Sequence, residues 1–146
     1  MDYQYRPPAP FVMASISLEG AGVEGRVAFL IDTGASVTTL LWADVIRLGI
    51  DVERLEGRER ELTGIGGTVR TKLAPAVIRF TEEGGEEITE EVEVCVVSSP
   101  CPDERLLLLP SLLGRDIINR YELAYDIARE RVLLVKHPSS SGSSSP

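Results

Sequence analysis

The stretch Phe29-Leu30-Ile31-Asp32-Thr33-Gly34-Ala35-Ser36 constrains the fold more than any other part of the sequence. A run of apolar residues ends on a carboxylate, and Thr, Gly and two small residues follow. The pattern delivers one acid from a strand into a tight, glycine-shaped turn. A carboxylate at the end of a hydrophobic strand is costly unless it is paired or hydrogen-bonded. A chain folded around this stretch must therefore find Asp32 a partner.

The segments on either side read mainly as strands. Phe11 to Leu18 alternates, with Val12, Ala14, Ile16 and Leu18 on one side. Glu19 to Gly22 is a turn into a second strand, Val23 to Ile31, which runs straight into Asp32. Val37 to Leu41 is β-branched and apolar, a short strand. At Trp42 to Leu48 the period changes to that of a helix, and Gly49 is placed to end it. Residues 51–60 are charged and read as loop. Glu61 to Val69 is a glycine-rich tip with strand-like flanks. Leu73 to Phe80 and Ile88 to Val97 follow as strands around an acidic turn, and the glutamates from Glu82 to Glu93 read as a solvated hairpin face. The apolar run Leu106 to Leu109 is broken by Pro110, and Leu112 to Arg120 reads as a short helix entered through Gly114. Tyr121 to Asp126 and Arg131 to Val135 make a last hairpin. Short strands with one or two short helices imply an all-β domain, a small barrel or sandwich.

The domain organisation follows: an extended Pro-rich lead-in over 1–10, one folded domain over 11–137, and a disordered Ser-rich tail over 138–146. A net charge of -8 argues against nucleic-acid and anionic-membrane partners. Cys95, Cys101 and the one histidine, His137, do not make a zinc site, so no metal or other cofactor is expected. Without a signal peptide the thiols are expected to be free and the protein cytoplasmic. The loop Gly64-Ile65-Gly66-Gly67 lacks the Lys-Ser/Thr pair of a phosphate-binding loop. A Ser-His-Asp triad would need His137, at the edge of the tail.

The chemistry that remains is a pair of carboxylates, the second supplied by another copy of the chain. Asp-Thr-Gly-Ala occurs once, and 146 residues leave no room for a second lobe. Two such turns meeting on a two-fold axis would bring two Asp32 side chains to roughly 3 Å, where they share one proton. One carboxylate then takes a proton from water while the other protonates a peptide carbonyl. Gly34 lets the backbone approach, and its amide can hold the carboxylate in plane. The Thr33 hydroxyl can tie one turn to its mate.

Three motifs make the chain resemble the retropepsin-type aspartic proteases, the single-lobed homodimeric family of retroviral proteases and their cellular and bacterial relatives. Leu30 to Ser36 matches the catalytic turn. Thr63-Gly64-Ile65-Gly66-Gly67-Thr68 matches the glycine-rich flap that closes over bound peptide. Leu112-Leu113-Gly114-Arg115-Asp116-Ile117-Ile118 matches the segment beneath the catalytic turn. The resemblance spans residues 11–136. It implies a retropepsin-like single-lobe barrel and a homodimeric aspartic endopeptidase acting on peptides or proteins. It implies catalytic Asp32, Thr33 and Gly34. Substrate contacts are implied for Ala35, Thr63, Gly64, Ile65, Gly66 and Gly67, and structural support for Leu113, Gly114, Arg115 and Asp116. Many retroviral members carry an acid two positions after the glycine; here it is Ser36, which leaves Arg115 to pair with Asp116, Asp126 or solvent. The competing reading is a non-catalytic dimerisation or peptide-binding module of the same fold, in which Asp32 caps a turn and the glycine loop is an ordinary hairpin.

Overall fold

A computed structural model describes residues 9–64, 67–82 and 84–138. Strands β1 (Phe11–Leu18) and β2 (Val23–Ile31) form an antiparallel hairpin with Phe11 opposite Leu30 and Leu18 opposite Val23. After the turn at Asp32 come β3 (Thr39–Leu40) and helix α1 (Trp42–Arg47). Strands β4 (Glu59–Gly64) and β5 (Gly67–Thr81) form a second hairpin, and β6 (Glu87–Val97) returns along β5. Strand β7 (Leu112–Leu113), helix α2 (Arg115–Ile118) and the hairpin of β8 (Tyr121–Asp126) and β9 (Arg131–Lys136) complete the chain.

The seven-stranded sheet runs β1-β2-β7-β3-β6-β5-β4, and β1 also pairs with β5 through Ser15 to Ser17. That extra pairing closes the sheet into a barrel, which removes most of its open edges. β5 serves β4 with its first half and β1 with its second. Leu73 N–H donates to Arg58 O at 3.0 Å, away from β6, so Pro75 two residues on faces the same way. It lies in the gap between the two partners, where a missing N–H leaves no ladder bond unmade. The alternation of β1 and β2 fills the interior: Ile16, Leu18, Val27 and Phe29 are fully buried, beside Leu40, Ile78, Val94, Val96, Leu113 and Ile117. The expected all-β barrel with short helices is the fold observed.

Most elements fall where the residue pattern puts them, with four differences. Leu112 and Leu113 are strand, not helix: β7 lies parallel to β2 and antiparallel to β3, so only residues 115–118 coil. The strand expected over 37–41 narrows to Thr39–Leu40. The run at 106–109 belongs to a 3₁₀ turn over Glu104–Leu108, and Leu107 and Leu108 are exposed. β4 begins at Glu59, inside the stretch read as loop. The lead-in over 1–8, the flap tip Ile65-Gly66 and the tail over 139–146 lie outside the described residues. Among the described residues no helix is long and apolar enough to cross a membrane.

The acidic β6 is not wholly a solvated face. Glu90 is 4% exposed and accepts hydrogen bonds from Arg120 Nη1 (3.1 Å) and from Lys136 Nζ. Burial opposes its ionisation, but hydrogen bonds from Lys136, Tyr121 and Arg120 outweigh burial and hold the carboxyl below its ordinary value. Tyr121 packs edge-on against Phe80 with ring centroids 5.9 Å apart, and Lys136 sits 5.0 Å over the tyrosine ring. Burial, then the neighbouring Glu90, pushes the Tyr121 phenol far up, so it stays protonated. One carboxylate thus fastens the β8–β9 hairpin to the barrel. Glu90→Gln should cost roughly 2 kcal/mol, reduced from the fully buried case because both cations are partly solvated. A depressed carboxyl stabilises fully above its ordinary range and loses that contribution as pH falls through the folded value. The gap in thermal midpoint between wild type and Glu90→Gln, measured across pH, should therefore close in acid.

Candidate active site

Asp32 stands at the point where β2 leaves the sheet. Its N–H donates to Leu113 O at 3.0 Å, while Leu30 N–H donates to Ser111 O (2.9 Å) and Ile31 N–H to Pro10 O (2.8 Å). The backbone is thus held on both edges until the turn begins. Asp32 Oδ1 accepts from Gly34 N–H at 2.9 Å, and Asp32 O accepts from Ala35 N–H at 3.1 Å. A Cβ on Gly34 would stand 3.1 Å from Oδ1 and crowd the carboxylate. Asp32 is half-buried, while Thr33 and Gly34 are exposed. The carboxylate therefore faces the outside of a single protomer, and it makes no ion pair among the described residues.

The segment 111–116 grips this turn. Gly114 is buried against it so closely that a Cβ would lie 2.5 Å from Val37 C and 2.8 Å from Thr38 N. Gly114 N–H donates to Thr38 Oγ1 (3.1 Å), and Arg115 N–H donates to Ala35 O (2.8 Å). The Asp116 carboxylate accepts from Thr38 N–H (3.0 Å to each oxygen), from Thr38 Oγ1 (2.7 Å) and from its neighbour Ile117 N–H (2.9 Å). Arg115 Nη1 donates to Thr33 O at 2.8 Å. Neither expected acid pairs with Arg115: Asp116 serves Thr38, and Asp126 pairs with Arg129 at 2.9 Å.

Asp32, Thr33, Gly34 and Ala35 are thus brought together with Leu113, Gly114, Arg115 and Asp116. Thr63, Gly64 and Gly67 occupy the separate β4–β5 hairpin, where Gly64 pairs with Gly67 and the Thr63 and Thr68 hydroxyls lie 3.3 Å apart. Among the described residues they make no hydrogen bond to the Asp32 turn. Two supports escape the sequence reading. Thr38 is fully buried at the centre of the grip. The buried Ser111 donates to Asp44 Oδ2 (2.6 Å) and accepts from Leu41 N–H (3.0 Å), which ties α1 to β7. The signal for both is a hydroxyl residue set in an apolar run beside each motif. Cys95 is buried and free, and burial pushes its thiol up, which suits an inert core residue.

The family model for aspartyl protease matches residues 14–117, well over half of the chain. The chain belongs to the aspartyl protease family. Among solved structures it is similar to the EIAV protease complexed with the inhibitor HBY-793, at 24% identity over 82% of this chain and 92% of that one, with a TM-score of 0.47. It is also similar to a retropepsin-like aspartic protease from Rickettsia conorii (22% identity, 90% and 96% covered, TM-score 0.46). A third likeness is to the retroviral protease-like domain of Ddi1 from Leishmania major (12% identity, 92% and 99% covered, TM-score 0.43). At such scores these likenesses add no weight to the family assignment. Comparison with curated proteins gives no match.

The grip predicts where substitution is costly. Gly114→Ala must displace backbone rather than a flexible side chain, at roughly 2–4 kcal/mol. Asp116→Ala strips the buried Thr38 N–H and hydroxyl of their acceptor, at roughly the same cost. Chemical denaturation of each variant checks both figures.

Proposed function

We propose that two copies of this chain form an aspartic endopeptidase in which one Asp32 from each protomer activates a water molecule. The observation that carries the reading is the Asp32 turn itself. In a chain of the aspartyl protease family, it presents one carboxylate outward, with Oδ1 held by the Gly34 amide and no partner acid in the same protomer. A second Asp32 across a two-fold axis supplies what a single protomer lacks.

In that assembly one carboxylate is ionised and its mate protonated. The ionised group takes a proton from water, the water oxygen attacks the peptide carbonyl carbon, and the protonated group gives its proton to the carbonyl oxygen. The resulting gem-diol collapses as a proton passes to the amide nitrogen and the carbon–nitrogen bond breaks. Both carboxylates end as they began, and no covalent enzyme intermediate forms. In this reading the β4–β5 hairpin is the flap: Thr63, Gly64, Ile65, Gly66 and Gly67 cover the peptide, and Ala35 contacts it from the other side. A cytoplasmic setting belongs to the same reading, and the two free thiols suit it.

Asp32→Asn should keep the fold and the dimer and abolish cleavage of a mixed peptide library followed by mass spectrometry. Cleavage at the wild-type level would end the proposal. Tight binding of peptides by the wild type without products would favour the non-catalytic module. Ala35 puts a methyl group where a serine hydroxyl could donate to the carboxylates, so activity should peak in mild acid. A maximum at about pH 2 would contradict that expectation.

A further inference from the structure

We infer that Arg115 acts on Asp32 through the peptide unit joining Thr33 to Gly34, which makes Arg115 a positioning residue for the carboxylate. The inference rests on the aspartic-protease reading and deepens it. A single amide supplies both ends of the relay. Its carbonyl oxygen, on Thr33, accepts from Arg115 Nη1 at 2.8 Å, and its N–H, on Gly34, donates to Asp32 Oδ1 at 2.9 Å.

A cation on an amide oxygen draws electron density from the nitrogen, so the amide proton becomes a stronger donor. Hydrogen bonds in series reinforce one another by roughly 10–30% per bond, and ionised groups at both ends strengthen them further. Amide planarity adds a geometric effect: the C=O and N–H point in opposite directions, so a guanidinium seated on the oxygen sets where the proton aims. Asp32 thereby feels part of a full positive charge with no cation against its oxygens. Arg115 makes no ion pair among the described residues, so no neighbouring carboxylate cancels that charge.

The other charged groups of the packed elements are engaged elsewhere or distant. On α2, Asp116 is taken up by Thr38. On α1, Asp44 binds Ser111 and Arg47. On β2, Glu24 and Arg26 lie toward the strand's other end. The second Asp32 of the proposed dimer is the remaining charge.

The test uses Arg115→Met and Arg115→Lys in the full chain. Arg115 is exposed, and its backbone N–H keeps its bond to Ala35 O in either variant, so the turn keeps its place. In ¹⁵N-labelled protein the Gly34 amide proton should move upfield in Arg115→Met and largely return in Arg115→Lys. Peptide hydrolysis, followed across pH above the dimer midpoint found by sedimentation, should show kcat down roughly tenfold in Arg115→Met. KM should stay within about twofold, and the acid limb should move up by about half a pH unit or more. A Gly34 resonance and a pH profile both unchanged in Arg115→Met would overturn the relay, as would a loss of activity that tracks only loss of the dimer. If the wild type cleaves nothing, the protease reading fails by itself, and the Gly34 shift still decides whether Arg115 polarises the amide.

Discussion

The contact between Gly114 and the backbone of Val37 and Thr38 is the constraint on which the site depends. No side chain fits there, because a Cβ would fall 2.5 Å from a backbone carbon. The close approach lets β7 slot between β2 and β3 and lets three consecutive residues, 114 to 116, each hold a different part of the Asp32 turn. Joining segments so far apart in sequence costs loop-closure entropy that no local interaction offsets. The offset comes from the buried apolar residues on either side, Ile31, Leu40, Leu113 and Ile117, packed in one core.

Within that grip the polar groups divide the work in a way that their order along the chain conceals. Arg115 and Asp116 are neighbours of opposite charge, yet they do not pair. A short helix sends successive side chains in different directions, so the carboxylate reaches inward to the buried Thr38 and the guanidinium outward to the Thr33 carbonyl. Buried hydroxyls and amides are satisfied this way without an uncompensated charge in the core. Glu90 plays the corresponding part for the β8–β9 hairpin, where a buried carboxylate is stable because Arg120 and Lys136 both reach it.

Much of this was legible in the residues, for a physical reason. A period of two along β1, β2 and β6 and a switch to helical period at Trp42 are local properties, readable without knowing what packs where. The Asp-Thr-Gly turn and the Leu-Leu-Gly-Arg-Asp segment were legible as chemistry because few other arrangements need those residue types together. Leu112-Leu113 misled: two leucines before a helix carry the same apolar signal whether they coil or extend. Only the parallel pairing with Leu30 and Ile31 makes them strand. Glu90 misled likewise, since nothing along an acidic stretch distinguishes the one glutamate that turns inward to meet cations from another hairpin.

The sequence by itself determined the fold class, the turn that carries Asp32 and the segment that supports it, because period, glycine placement and the cost of a carboxylate beside an apolar strand are local facts. Tertiary structure alone decided the partners. It assigned Asp116 to Thr38, Arg115 to the Thr33 carbonyl and Ser111 to Asp44, and it closed the barrel through β1 and β5. Those choices depend on which distant groups arrive within about 3 Å of one another. That distance is set by the packing of the whole core, and no short stretch of sequence contains it.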